Sequence, residues 1–580
     1  MTRTQLALAT ALSCALALPA SPLLAQDDRA AGLFTEARDL LLVSQSLVVH
    51  VTDQEAVLEL VQVFANDGPD LGQADYRLPL PEHATVLGYG FWQDDEFLAA
   101  ELKGKQQAIA AHQKAASEGR PTALSRRYGG RVQSFSVFPV QAGELKQVEI
   151  TLQMPVVTED GRSHLRLPIE HFLGRSPVTS TVVVHLDTAE PIQDLGVTPV
   201  LDKDAFQLTH LESRAATLTL AVDRAFEVWW AEKMPAFLAR ADAVAVEEGR
   251  LAWQLRLAFR DDSPNPDDEL VVLVDGSKSL RRRGSVVSGV VERLLERAPG
   301  TVRVVEVGVD VRQLGHRPPG GSAEPILAEL ARGVPTFGLS WEHLTAAAVE
   351  EGCELGGWRR CVAITDPQAL GSANARGASF VPLFLGDANE LAYFSGQLGP
   401  EALSWDTGAE TRGKLWALVD ELVRPLLVVE RIDQRGGTLE VLTGQRQQVA
   451  AGGYLRLAGF TYSQEPFDIE LSLAGESRSV RVEPTLLLPD DPRAASVRRQ
   501  AYGMQLDDWM RQYRQSREPE LKQRIVELSV REGIPTQVTA FHVASPDVLP
   551  SGGTPAELLR RFGLLLLAVG LAFAAAGRRP

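Results

Sequence analysis

From Leu40 to about Val157 the chain repeatedly places apolar residues at every second position. "LLLVSQSLVVHV" and "AVLELVQVFAN" are rich in Val and Leu with partial alternation, as expected of strands with one buried face. Prolines in "DYRLPLPEHATVLGYGFW" end strands there. "ELKGKQQAIAAHQKAASEGR" interrupts the pattern with Ala, Gln, Lys and Glu and predicts a helix, stopped near Gly119 with Pro121 beyond. "RVQSFSVFPV" and "LKQVEITLQM" return to alternation across the turn "QAGE". Residues 26–157 therefore predict an antiparallel β-sandwich with one inserted helix, and residues 158–262 a β-rich connecting region.

The period changes after the linker "DDSPNPDDE". "LVVLVD", "VVSGVVERLLERA", "TVRVVEVGVD", "AEPILAELARG", "WEHLTAAAVEEG", "CVAITD" and "SFVPLFLG" alternate buried strands with amphipathic helices, the signature of a doubly wound, mostly parallel sheet. Residues 268–425 thus predict a Rossmann-like α/β domain. Residues 426–488 revert to strands. Residues 490–545 read as helical, with Gly533 as a stop. The fold class is multidomain α+β.

Composition sharpens this picture in three ways. At 580 residues the chain is too long for one core, so three or more domains are expected. A formal net charge of -17 argues against a nucleic-acid partner, which needs a basic face, and suits a soluble surface or a divalent cation. Both ends carry targeting patterns. Residues 1–25 read as a secretory signal peptide cut after Ala25. Phe562 to Gly577 is an uncharged apolar run flanked by Arg560-Arg561 and Arg578-Arg579, which predicts a C-terminal transmembrane helix and a single-pass protein with its domains outside the cytoplasm. Without the signal peptide only Cys353 and Cys361 remain, and they read equally as a local disulfide or as two small buried apolar residues.

Candidate chemistry sits at strand tips. "VVLVDGSKSL", residues 271–280, ends a buried strand in Asp275, and Ser277 and Ser279 follow at alternate positions. "CVAITDPQ" ends another strand in Asp366. Ligands of open α/β sheets sit beyond the carboxyl ends of the strands. Two carboxylates and two hydroxyls meeting there make a hard oxygen site suited to Mg²⁺ or Mn²⁺. In an extended loop Ser277 and Ser279 would face the ion together. No Gly-x-Ser-x-Gly elbow, His-Glu-x-x-His helix or phosphate loop occurs, so the expectation is a protein without catalytic activity. The alternative is a metal-dependent hydrolase or other surface enzyme.

Three resemblances add to this reading. "YRLPLPEHATVLGYGFW", the Lys- and Ala-rich helix, and "SFSVFPVQAGELKQVEITL" resemble the VIT domain of vault proteins and inter-alpha-trypsin inhibitor heavy chains. The Asp-x-Ser-x-Ser spacing resembles the metal-ion-dependent adhesion site of von Willebrand factor type A (VWA) domains. That resemblance implies metal ligation by Asp275, Ser277, Ser279 and Asp366, with a middle-loop hydroxyl from "TFGLSWEHL", either Ser340 or its rival Thr336. It also implies adhesion, in which a protein ligand's carboxylate completes the metal's shell. "LPSGGTPAEL" from Leu549, ahead of the apolar run, resembles a sorting signal. With the VIT–VWA order, residues 549–580 resemble the tail of sortase targets among inter-alpha-trypsin heavy-chain-like proteins of Gram-negative bacteria, which implies a sortase as a partner.

Overall fold

The computed structural model describes residues 31–543, apart from short stretches between elements, the longest being 261–268. Residues 1–30 and 544–580, with the expected signal peptide, anchor and sorting motif, lie outside the described residues. Among the described residues no helix is long and apolar enough to cross a membrane.

The alternating segments form an N-terminal sandwich. Leu41–Thr52 and Glu55–Ala65 pair antiparallel along their whole length, and Leu145–Pro155 pairs with the other side of Glu55–Ala65. The strand Glu96–Gly104 is shared between two partners. Residues 96–99 bond to Thr85–Gln93, and residues 100–104 bond to Thr539–Val543. The inward positions of these strands, among them Leu47, Val49, Leu58, Phe64 and Leu152, meet in one core with Tyr76 of Ala74–Pro79 and Phe135 of Val132–Phe138. The predicted helix is Lys105–Ser117; Gly119 follows it at φ 67°, a left-handed conformation that glycine adopts without a Cβ penalty.

The sheet does not end at residue 157. Ser180–Asp187 joins it in parallel beside Leu41–Thr52, and Ala215–Val222 and Phe206–Leu211 follow. A four-stranded sheet of Val157–Glu159, Arg162–Leu167, Ile192–Thr198 and Phe226–Glu232 adds Leu165, Val228 and Trp230 to the same core. The predicted divisions at 26–157 and 158–262 thus give way to one unit reaching Glu232. Its later strands alternate just as the earlier ones do, and only their pairing shows that they share a core.

A second sandwich is built from two separated pieces. Phe237–Glu247 and Arg250–Phe259 pair with each other, and the second also pairs with Tyr454–Thr461. Opposite them lie Leu426–Gln434, Phe467–Leu473 and Glu476–Val482. Trp253, Leu255, Leu457, Phe467 and Ile469 fill the space between the two layers.

The α/β unit leaves this sandwich after Phe259 and returns to it at Leu426. Its six-stranded sheet has Glu269–Asp275 near the centre, parallel to Thr301–Val307 on one side and to Arg359–Thr365 on the other. Val381–Gly386 and Leu403–Asp406 extend it in parallel, and Val311–Arg317 closes the far edge antiparallel. Helices cover both faces, so every residue of Glu269–Asp275 is buried. This explains its unbroken apolar run. Cys353, just past the helix Trp341–Glu350, is bonded to Cys361 on the Arg359–Thr365 strand.

The last predicted segment is helical only in part. Pro492–Ser516 and Pro519–Glu532 are helices, and Gly533 ends the second at φ 68°. Their apolar residues Val497, Tyr502, Leu506 and Ile525 pack on Ala252, Ala458 and Phe460 of the second sandwich. The chain then returns to the N-terminal sheet. Thr539–Val543 lies between Glu96–Gly104 and Thr122–Tyr128, with all five residues buried. A chain ending at Gly533 would lose this strand and expose the facing edges of its two neighbours. Hydrogen exchange should then show loss of protection in residues 96–104 and 122–128 while residues 269–275 stay protected. Unchanged protection at 96–104 would contradict the structural role given to this strand.

Candidate metal centre

The parallel register sets the site. Glu269 lies opposite Arg359 and Val274 opposite Ile364, so the strands end side by side at Asp275 and Thr365–Asp366. Both carboxylates are buried, Asp275 at 2% exposure and Asp366 at 0%. Asp275 Oδ1 accepts from the Ser277 backbone N–H at 2.7 Å, and Oδ2 accepts from the Thr365 hydroxyl at 2.6 Å. Gly276 between them donates its N–H to Val307 O at 2.8 Å, and a Cβ there would stand 3.1 Å from that carbonyl. Glycine lets the backbone pass this close to the neighbouring strand.

Beyond Ser277, itself extended, the segment turns helical. Ser277 caps a short helix, Lys278–Arg281, which puts Ser279 inside the first turn. The two hydroxyls nevertheless converge, with Ser277 Oγ 3.0 Å from Ser279 Oγ. Ser277 Oγ also accepts from Leu280 N at 3.4 Å. The helical turn, rather than strand alternation, therefore brings the two serines together.

Asp366 caps the 3₁₀ turn Pro367–Leu370, its Oδ1 accepting from Gln368 N at 2.9 Å. Its Oδ2 is buried without a hydrogen-bond partner among the described residues. Arg283 stands 3.8 Å from that oxygen and bonds Glu390 at 2.6 Å. Glu390 in turn accepts from the Gln368 side chain at 2.9 Å. Arg283 is thus a built-in counter-charge shared between the pair and the helix Ala388–Phe394.

Ser340 is placed differently. It caps the helix Trp341–Glu350, and its Oγ lies 2.8 Å from His343 Nδ1. That helix leads into the Arg359–Thr365 strand, so it starts at the carboxyl edge of the sheet. No hydrogen bond joins Ser340 to Asp275, Ser277, Ser279 or Asp366 among the described residues. Thr336 lies outside the described residues.

Burial dominates the electrostatics. It pushes the Asp275 carboxyl up to about 6, helped by the charge of Asp366, against the pull of the bonds from Thr365 and Ser277. Burial also raises Asp366, against the Ser279 hydroxyl, the Gln368 N–H and Arg283. Two buried carboxylates that resist ionising, one with an oxygen that accepts no hydrogen bond among the described residues, suit a divalent cation with oxygen ligands. Asp275, Ser277, Ser279 and Asp366 fit such an ion, although among the described residues no three His, Cys, Asp or Glu side chains are grouped to hold a metal by themselves. Thr365 and Arg283 were not foreseen from sequence. The only signal for Arg283 is its place in "RRRG", eight residues past Asp275.

A family model described as the Vault protein inter-alpha-trypsin domain (VIT) matches residues 42–152. No curated protein gives a significant match. Solved structures give partial likenesses. A von Willebrand factor type A protein from Catenulispora acidiphila is 12% identical over 52% of this chain and 87% of its own, with a TM-score of 0.33. The ArnB paralog VWA2 of Sulfolobus acidocaldarius is 9% identical over 51% of this chain and 93% of its own, at 0.31. Proximal thread matrix protein 1 from the mussel byssus, with a zinc-occupied MIDAS motif, is 16% identical over 28% of this chain and 49% of its own, at 0.21.

The raised Asp275 carboxyl fixes the sign of one pH effect. Its folded value, about 6, lies above the ordinary aspartate range, so ionisation costs stability, and the cost grows as pH rises from about 4 through 6. In chelator, the melting temperature of Asp275→Asn relative to wild type should therefore climb between about pH 4 and pH 7. A difference that stays flat across that range would show that the carboxyl is not shifted.

Proposed function

We propose that this chain is an exported, membrane-tethered adhesion or interaction protein that binds a protein ligand through a divalent cation. Asp275, Ser277, Ser279 and Asp366 would hold the ion, with Ser340 joining from the start of its helix after releasing His343. The observation that carries this reading is the buried Asp275–Asp366 pair at one sheet edge, with Asp366 Oδ2 facing Arg283 at 3.8 Å and accepting no hydrogen bond among the described residues. The bound ion, Mg²⁺ or Mn²⁺, would supply a Lewis-acidic position able to take a partner's carboxylate. Asp275 and Asp366 offset its charge, and the Ser277 and Ser279 hydroxyls supply neutral oxygens.

The test measures metal and partner together. Calorimetry on residues 26–548 should show Mg²⁺ or Mn²⁺ binding that Asp275→Ala weakens by about 100-fold or more, since a charged ligand is lost. Retention of a cell-surface protein on immobilised protein should need the ion and fail with the same variant. Equal metal affinity in wild type and variant would refute the site.

The tether rests on sequence alone. Residues 562–577 would hold the domains outside the cytoplasm, and the Leu549–Gly553 stretch would offer a sortase its site. A chain ending at Val548 should leave the membrane fraction and appear as soluble protein. Its retention in the membrane would remove the anchor from the account.

A further inference from the structure

Lys146 is fully buried in the N-terminal sandwich, at 0% exposure. A lysine ammonium out of water must be compensated, and here the surroundings do more than balance its charge. Its Nζ lies 2.8 Å from Glu144 Oε1 and 2.5 Å from Gln93 Oε1. Gln93 is itself buried, at 6% exposure. It ends the strand Thr85–Gln93, which pairs antiparallel with Leu145–Pro155 through Phe91 opposite Val148. Continuing that register by two residues sets Gln93 across from Lys146. The Phe91 ring covers the amine, its centroid 4.7 Å from Nζ. Glu144 is held by its second oxygen, Oε2, which accepts from the Gln141 backbone N–H at 2.6 Å.

An ion pair between Lys146 and Glu144 would satisfy the charge without Gln93. The carboxamide adds an electrophilic carbon on a fixed strand, next to an amine with a carboxylate beside it and an aromatic cover. We propose that Lys146 and Gln93 become joined by an intramolecular isopeptide bond, with Glu144 carrying the proton. This proposal is independent of the metal centre.

The chemistry closes without an outside reagent. Glu144 accepts a proton from the Lys146 ammonium, and the neutral amine attacks Gln93 Cδ. The new Nζ–Cδ bond forms and the carbonyl π pair moves to Oε1. Collapse of the tetrahedral centre breaks Cδ–Nε2, and Glu144 returns its proton to the departing nitrogen. Ammonia leaves and takes up the second amine proton as ammonium. One amide replaces another, with no change of oxidation state. Fixing both reactants on paired strands replaces a bimolecular encounter by an intramolecular one, which is worth several orders of magnitude in rate. Exclusion of water by Phe91 and the core keeps hydrolysis of Gln93 from competing.

The bond would tie residues 53 apart in sequence, across the helix Lys105–Ser117 and the strand that receives Thr539–Val543. Such a closure restricts the unfolded chain as a disulfide does.

Peptide mapping of the intact protein after denaturation and trypsin decides the matter. The expected product is residues 78–103 joined to residues 132–162, uncut after Lys146 and lighter than the sum of the two peptides by one ammonia. Separate peptides in the folded wild type, with cleavage after Lys146 and an unmodified Gln93, overturn the proposal. Glu144→Gln should leave Lys146 and Gln93 unjoined while circular dichroism shows the native fold. A joined peptide in that variant would overturn the part given to Glu144. The wild-type map stands by itself if the variant fails to fold.

Discussion

Two strands held parallel and side by side must end side by side, and here both ends carry a carboxylate. The register between Glu269–Asp275 and Arg359–Thr365 leaves Asp275 and Asp366 adjacent and buried. Burial pushes both carboxyls up, and the charge of Asp366 adds to the effect on Asp275. The surroundings answer with donors: Thr365, the Ser277 N–H, the Gln368 N–H and, at longer range, Arg283. Asp366 Oδ2 still accepts no hydrogen bond among the described residues. The proposed divalent cation would offset both carboxylates.

The rest of the chain reads as a mounting for that edge. The α/β unit is inserted into the second sandwich, whose pieces before and after it, 237–259 and 426–486, pack around one core. Both ends of the unit are therefore fixed to the same body. The chain then closes a longer loop, from the N-terminal sandwich through the second sandwich and its helices and back to the strand Thr539–Val543. Each departure is matched by a return, so separated stretches of sequence complete each unit.

Local pattern made much of this legible. The switch from alternation to buried runs with amphipathic helices marked the α/β unit, and the residues after Val274 gave Asp275, Ser277 and Ser279. Asp366 was readable as a carboxylate ending a buried strand. The remainder depended on pairing that no local window contains. "TAFHV" is a five-residue strand buried throughout, so it shows no alternation, and it follows two helices; only its slot between residues 96–104 and 122–128 makes it a strand. The strands beyond residue 157 were expected as a β-rich region, and only their pairing shows that they share a sheet and core with the earlier ones. At the site, Thr365 precedes Asp366 in a strand, where alternation would turn it away, yet its hydroxyl reaches Asp275. Ser277 and Ser279 were foreseen as converging, but through an extended loop rather than the helical turn that forms. Ser340, expected with its rival Thr336 as a middle-loop ligand from the resemblance, is instead bonded to His343, which spacing alone does not reveal.

The central claim is that the carboxylate pair is a cation site. The most direct measurement is anomalous diffraction from crystals equilibrated with Mn²⁺. The account predicts a single strong peak bounded by Asp275, Ser277, Ser279 and Asp366, with the Arg283 guanidinium withdrawn from Asp366 toward Glu390. No peak there at saturating Mn²⁺, with Arg283 still facing Asp366, would contradict it.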